Sequence, residues 1–191
     1  CILSCQFCAF SRKKRDKDGF ELSVEQIVNK AREALAIGIT ELHIVGGLHP
    51  SLPYRYYLDL LKALKALDSR LQLKCFTAIE VLHLAWLARK PLRETLLELK
   101  AAGLDSLTGG GAEIFRPSVR SAIAKGKESA EEYREVHRVW QQLGGRSTCT
   151  MLYGHVESLE DRVDHLRQLR ELQDETHGFT GFIPLAYQPE N

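Results

Sequence analysis

Three of the five cysteines fall within the first eight residues, as Cys1-Ile-Leu-Ser-Cys5-Gln-Phe-Cys8, and the other two, Cys75 and Cys149, stand alone in apolar runs. The crowded three have the spacing C-x3-C-x2-C. Thiolates are the usual ligands of iron–sulfur clusters. Three of them on a four-iron cluster leave one iron without a protein partner, open to a small chelating molecule. A structural zinc site is the competing chemistry, but zinc takes four ligands, commonly from paired C-x2-C knuckles. No fourth ligand stands nearby, the nearest histidine being His43. An odd cysteine count argues against a disulfide framework.

A second set of unusual residues follows short apolar runs. Gly46-Gly47-Leu48-His49-Pro50 comes first, then Thr77-Ala-Ile-Glu80, Gly109-Gly110-Gly111-Ala112-Glu113, Tyr153-Gly154-His155 and Tyr187-Gln188-Pro189-Glu190. His49, Glu80, Glu113 and His155 are their polar candidates. Glycine pairs and triplets let backbone approach a ligand closely, and successive exposed amides can form an anion nest.

The elements that must position these residues are marked by caps and stops. Ser23-Val-Glu-Gln26, Ser129-Ala-Glu-Glu132 and Ser158-Leu-Glu-Asp161 read as capping boxes, with the shorter Asp161 as the weakest last member. Gly38, Gly103 and Gly144 read as helix stops. The apolar runs 41–45, 71–76, 104–107, 147–152 and 179–185 are short and glycine-flanked, which favours strands. They begin about 30 to 40 residues apart, the length of one strand-plus-helix unit, with no hairpin signal between them. This predicts an α/β fold: a (β/α) TIM-type barrel, partial here with about six units if a strand precedes Cys1. An open doubly wound sheet is the alternative. In either fold the unusual residues gather at the carboxyl ends of the strands, where such folds build active sites.

Residues 1–191 read as one domain, an internal fragment of a barrel whose amino- and carboxyl-terminal parts are missing. A barrel short of about two of its eight units would expose sheet edges and dissolve poorly alone. Hydrophobic residues make up 44% and charged residues 27%, an ordinary globular balance, and the formal net charge of +1 offers no global field to nucleic acid or an anionic membrane. The basic run Arg12-Lys13-Lys14-Arg15 is diluted by Asp16 and Asp18 and reads as a solvated loop. No apolar stretch approaches the ~20 residues of a membrane span. A cytoplasmic protein is expected. Trp86 and Trp140 read as core or helix-packing aromatics, Cys75 and Cys149 as small buried hydrophobes, and His83, His137 and His165 as packing residues of helices.

The cysteine spacing is the signature of the radical S-adenosylmethionine (SAM) superfamily, and the sequence resembles that family. The resemblance implies a four-iron, four-sulfur cluster on Cys1, Cys5 and Cys8 whose open iron takes the amino and carboxylate groups of SAM. It places Phe7 against the adenine and the backbone of Gly46 and Gly47 at the SAM amino group. Leu48-His49-Pro50 departs from the acidic residue that many relatives carry there. Glu41-Leu-His-Ile-Val-Gly-Gly-Leu-His-Pro50, Phe76-Thr-Ala-Ile-Glu80, Gly109-Gly-Gly-Ala-Glu-Ile-Phe115, Cys149-Thr-Met-Leu-Tyr-Gly-His155 and Leu169-Arg-Glu-Leu-Gln-Asp-Glu-Thr176 together are similar to the aminodeoxyfutalosine synthase family of menaquinone biosynthesis.

That resemblance implies SAM consumed as co-substrate. Its adenosyl radical adds to the enol ether of 3-(1-carboxyvinyloxy)benzoate; rearrangement and loss of carbon dioxide give aminodeoxyfutalosine. A reducing donor such as flavodoxin or ferredoxin would supply the electron. For such a reaction Glu113 and His155 are the catalytic candidates, His155 and His49 as donors to a substrate carboxylate. Glu80 and Glu113 are candidates for the SAM ribose or amino group. Two other readings stay open: a sister radical SAM enzyme (dehypoxanthine futalosine cyclase or the deazaflavin, F0, synthase subunit), and a non-catalytic metal-binding domain.

Overall fold

In the computed structural model, residues 1–13 and 15–189 are described. Lys14 of the basic run and Glu190 of the last strand-end cluster lie outside the described residues. Among the described residues five strands form one sheet: β1 (Glu41–Ile44), β2 (Gln72–Cys75), β3 (Ser106–Leu107), β4 (Arg146–Tyr153) and β5 (Phe179–Ala186). Their spatial order is their chain order, and every neighbouring pair is parallel. Each crossover therefore steps one strand in the same direction, as in a (β/α) barrel. A doubly wound sheet reverses its order at a switch point, and this one does not. The sheet is a half-barrel of five parallel strands, with β1 and β5 as its edges.

Among the described residues seven helices complete the fold: α1 (Val24–Ala36), α2 (Tyr54–Leu67), α3 (Ala78–Ala88), α4 (Leu92–Ala102), α5 (Pro117–Ile123), α6 (Ala130–Gln142) and α7 (Leu159–Thr176). All three predicted capping boxes form. The short Asp161 still closes the third, accepting from the Ser158 amide at 3.0 Å. Gly38, Gly103 and Gly144 follow their helices with left-handed φ of 87°, 118° and 77°. Helices α3 and α7 end instead with non-glycine residues, Arg89 and His177, in the left-handed conformation.

The main core lies between sheet and helices, around Leu61, Leu73, Leu96, Leu107, Tyr133 and Trp140. Trp140 is fully buried and its indole N–H donates to the Arg146 carbonyl at 2.8 Å. Trp86 departs from the core expectation at 72% exposed. The inward positions of α3 are taken by Ala78, Val81 and Leu84, and Trp86 falls on the other side, stacked on His83. A second, smaller apolar cluster (Ile114, Val119, Ile123, Met151, Leu152) packs against Cys5, Phe7, Tyr153 and Tyr187, so it lies beneath the cysteine loop. Edge strand β5 leaves Phe182, Ile183 and Leu185 40%, 40% and 44% exposed. No helix among the described residues is long and apolar enough to cross a membrane.

Candidate active site

The cysteine segment has no regular structure and is held at both ends by backbone. The Ile2 amide donates to the Leu48 carbonyl past the end of β1, and the Gln6 amide donates to the Ile123 carbonyl at the end of α5, both at 3.0 Å. The Cys8 amide turns back to the Cys5 carbonyl at 3.2 Å. Lys13 fastens the loop from outside, its ammonium donating to the Leu3 carbonyl at 2.6 Å. Cys1 and Cys5 are half-buried and Cys8 is exposed, and all three are free thiols. Among the described residues no three His, Cys, Asp or Glu side chains form a ready-made single-ion site.

The residues present fit a cluster on two observations. The donor set is three free thiols on one short loop, the soft ligands that iron–sulfur clusters take. The Cys1 sulfur also lies so near the backbone that a Cβ added at Gly47 would be 3.2 Å from it, and Gly47 has a left-handed φ of 74°. The left-handed φ favours glycine there, and a Cβ would press the Cys1 sulfur aside.

Glu80 links that turn to the next strand. One oxygen accepts from the amides of Gly46 and Gly47 at 2.8 and 3.0 Å. The other accepts from the amide and hydroxyl of Thr77, both at 2.8 Å. Thr77-Ala-Ile-Glu80 is thus a fourth capping box, at the start of α3, as well as a strand-end cluster. With both glycine amides occupied, the groups this turn retains for a bound ammonium are carbonyls.

The glycine run after β3 serves the chain's own packing. A Cβ on Gly109 would meet the Cys149 backbone at 2.7 to 2.8 Å. The Gly109 amide donates to Thr148 Oγ1, and its carbonyl accepts from the hydroxyls of Tyr133 and Thr150. Buried Arg120 donates to the carbonyls of Gly111, Ala112 and Glu128. A run read as an anion nest therefore spends its Gly109 amide on Thr148 and turns the carbonyls of Gly111 and Ala112 to a guanidinium.

Beyond the run, Glu113 is 4% exposed and held at a left-handed φ of 43°. Its carboxylate pairs with Lys127, whose ammonium lies 5.5 Å from the centre of the Phe7 ring. Burial works against the Lys127 charge, but Glu113 and Glu128 outweigh it and hold its pKa above the usual value. Burial pushes the Cys5 thiol up; Lys127 pulls it back, against Glu113, Cys8 and Glu128. Glu128 is pushed up to about 7 by burial, against Lys127 and Arg120. Arg120 lies 3.7 Å from it, and neither carboxylate oxygen has a hydrogen-bond partner among the described residues. Lys127, Glu128 and Arg120 were not candidates in the sequence. They sit in a polar stretch whose local pattern looks like surface, and only the tertiary fold buries them.

The two candidate histidines are occupied within the chain. His155 has Nε2 2.9 Å from the Leu152 carbonyl, while Nδ1 accepts from the Val156 amide at 2.8 Å beside buried Glu157. His49 Nε2 lies 2.7 Å from Glu21, and Nδ1 accepts from the amides of Ser51 and Leu52. His155 also lines a cavity of about 250 Å³ with Phe7, Ile123, Leu152, Val156 and Tyr187. The structure thus brings Cys5, Phe7, Glu113 and Lys127 together on one side, and Cys1, Gly46, Gly47 and Glu80 on the other.

A parallel half-barrel with a three-cysteine loop across the carboxyl ends of its strands defines the class. Residues 1–169 match the Radical SAM superfamily, and the chain belongs to it. Over its full length it is 48% identical to aminodeoxyfutalosine synthase of Thermus thermophilus, covering 51% of that protein. It is 38% identical to cyclic dehypoxanthine futalosine synthase of Streptomyces coelicolor, covering 100% of this chain and 48% of that one. The chain spans about half the length of the curated relatives it matches. Its fold is similar to that of methylornithine synthase, with a TM-score of 0.73 at 16% identity over 99% of this chain and 51% of the other.

Proposed function

We propose that the protein holds a four-iron, four-sulfur cluster through Cys1, Cys5 and Cys8, binds SAM as co-substrate, and adds its adenosyl group to 3-(1-carboxyvinyloxy)benzoate to form aminodeoxyfutalosine for menaquinone biosynthesis. The observation that carries this reading is that one eight-residue loop sets the Cys1 sulfur against Gly47 and the Phe7 ring on the wall of the cavity. Cluster and adenine sites then adjoin. The higher identity to the synthase than to the cyclase supports the branch. When bound, the cluster would supply the electron that breaks a carbon–sulfur bond of SAM.

The chain's own residues have distinct tasks in this reading. The carbonyls of Gly46 and Gly47, fixed by Glu80, accept from the SAM ammonium. Phe7 and Tyr187 flank the adenine. Glu113 turns a carboxylate oxygen to the ribose hydroxyls. His155, with both ring nitrogens engaged, is a rigid wall that keeps water from the radical and not a proton donor. A cytoplasmic reductant such as flavodoxin or ferredoxin supplies electrons.

The test uses the full-length protein, reconstituted with iron and sulfide without oxygen, then given SAM, a reductant and 3-(1-carboxyvinyloxy)benzoate. Mass spectrometry should find aminodeoxyfutalosine, lost in the Cys1, Cys5 and Cys8→Ala variants. Deoxyadenosine without an adenosyl adduct would move the protein to the cyclase or deazaflavin branch. No SAM cleavage, with zinc in the protein, would make it a metal-binding domain.

A further inference from the structure

We propose that Lys127 and Glu113 form a buried charge pair that sets the reduction potential of the cluster, Lys127 raising it and Glu113 lowering it. This rests on the reading of Cys1, Cys5 and Cys8 as cluster ligands.

A lysine whose side chain is 10% exposed, paired with a carboxylate 5% exposed, is not surface charge. Burying such a pair brings little or no net stability over apolar side chains of the same volume. Its location then needs a reason beyond folding. The ammonium lies over the face of Phe7, the residue just before Cys8, at 5.5 Å from the ring centre. Cys5 and Phe7 are themselves packed on the apolar cluster of Ile114, Ile123 and Met151, which keeps the surroundings weakly screening. Lys127 is thus a cation fixed behind the cluster loop with apolar atoms between.

The partner is held as firmly. Glu113 keeps a left-handed backbone, φ 43°, that a non-glycine residue rarely adopts. Its carbonyl accepts from the Leu152 amide at 3.0 Å, and Arg120 grips the preceding carbonyl, of Ala112, at 2.6 Å. An added electron makes the cluster more negative, so a nearby cation favours the reduced state and an anion the oxidised one. The ammonium is the member of the pair over Phe7, and at Cys5 its influence exceeds that of Glu113, so the two fields do not cancel there. Lys127 acts here as a positioning residue, through its field, without touching the reacting atoms.

The experiment is an EPR-monitored redox titration of the reconstituted full-length protein, with iron content measured alongside. The Lys127→Met variant should show at least a tenfold lower ratio of reduced to oxidised cluster at a fixed solution potential, about 59 mV for a one-electron couple. Lys127→Arg, which keeps the charge, should stay within about threefold of the unsubstituted protein. Glu113→Gln should shift the potential the opposite way to Lys127→Met, and it decides the matter if Lys127→Met fails to hold iron. Full clusters whose potentials do not move, or move in the same direction in both variants, would overturn the proposal while leaving the cysteine assignment intact. An unsubstituted protein that takes up no cluster would overturn both.

Discussion

The carboxylate of Glu80 and the amide of Gly47 meet at 3.0 Å across the gap between α3 and the end of β1. The same side chain caps α3 through Thr77, so one buried carboxylate fixes both the start of a helix and the turn that faces Cys1. Glu80→Gln keeps the shape but turns a donor towards amides that already donate. It should destabilise the protein by about 1–3 kcal/mol in urea unfolding. If the turn presents its carbonyls to SAM, the dissociation constant for SAM should also rise about tenfold, some 1.4 kcal/mol, with iron content unchanged. Unaltered SAM affinity in a variant of lowered stability would reduce Glu80 to a helix cap.

Gly47→Ala and Gly38→Ala separate conformational strain from contact. Both glycines have left-handed φ, 74° and 87°, but a Cβ meets Cys1 only at Gly47, and at Gly38 it meets nothing within 4 Å. Each substitution should cost about 1–2 kcal/mol for the backbone alone. Gly47→Ala should in addition lower the iron bound per chain after reconstitution, because the Cys1 sulfur must move. Equal iron content in the two variants would refute the close-approach role.

The fold was largely legible because its punctuation is local. A serine with a glutamate, glutamine or aspartate three residues on satisfies the first amides of a helix, and the glycine stops need only a positive φ. The five strands followed from what those signals left over. The cysteine motif was legible for the same reason, since all three thiols belong to one loop. Lys127 was not. Nothing near Lys125-Gly126-Lys127-Glu128 says that the second lysine is buried and the first exposed; that depends on the chain folding back past α5 to meet Glu113, 14 residues earlier in the same crossover. The second duty of Glu80 was hidden likewise, because Gly46 is 34 residues away. Trp86 misled because an aromatic in an apolar helix looks like core from either face.

Glu128 should make the protein less stable as pH rises towards neutrality. Its folded pKa of about 7 lies above the model-peptide value of 4.5, so the folded state holds the proton more tightly. That contribution is complete below pH 4.5 and is lost as pH rises through 7. In Glu128→Gln it is absent. Between pH 5 and 8 the stability of Glu128→Gln relative to the unsubstituted protein should climb by on the order of 2 kcal/mol, read from urea midpoints. A difference that stays constant with pH would show that Glu128 is ionised throughout.

His137 and His165 should act in the opposite sense, on the acid side. Burial lowers them from 6.5 to about 3 and about 4. Each has one ring nitrogen engaged, His137 Nδ1 with Ser147 Oγ and His165 Nε2 with the Thr150 carbonyl, both at 2.9 Å. The other nitrogen of each is buried without a partner among the described residues, so a second proton would find no acceptor. The unfolded chain binds that proton at ordinary pH values and the folded chain does not. Stability is therefore complete above about pH 6.5 and falls as pH drops towards the folded values. From pH 6.5 to 5 each histidine should remove about 2 kcal/mol, with Glu128 offsetting part of the total. His165→Gln keeps a donor for the Thr150 carbonyl but cannot titrate. Its urea midpoint should fall less steeply with acid than that of the unsubstituted protein, the two curves converging as pH is lowered. Parallel curves would mean that His165 takes up its proton in the folded state as readily as in the unfolded chain.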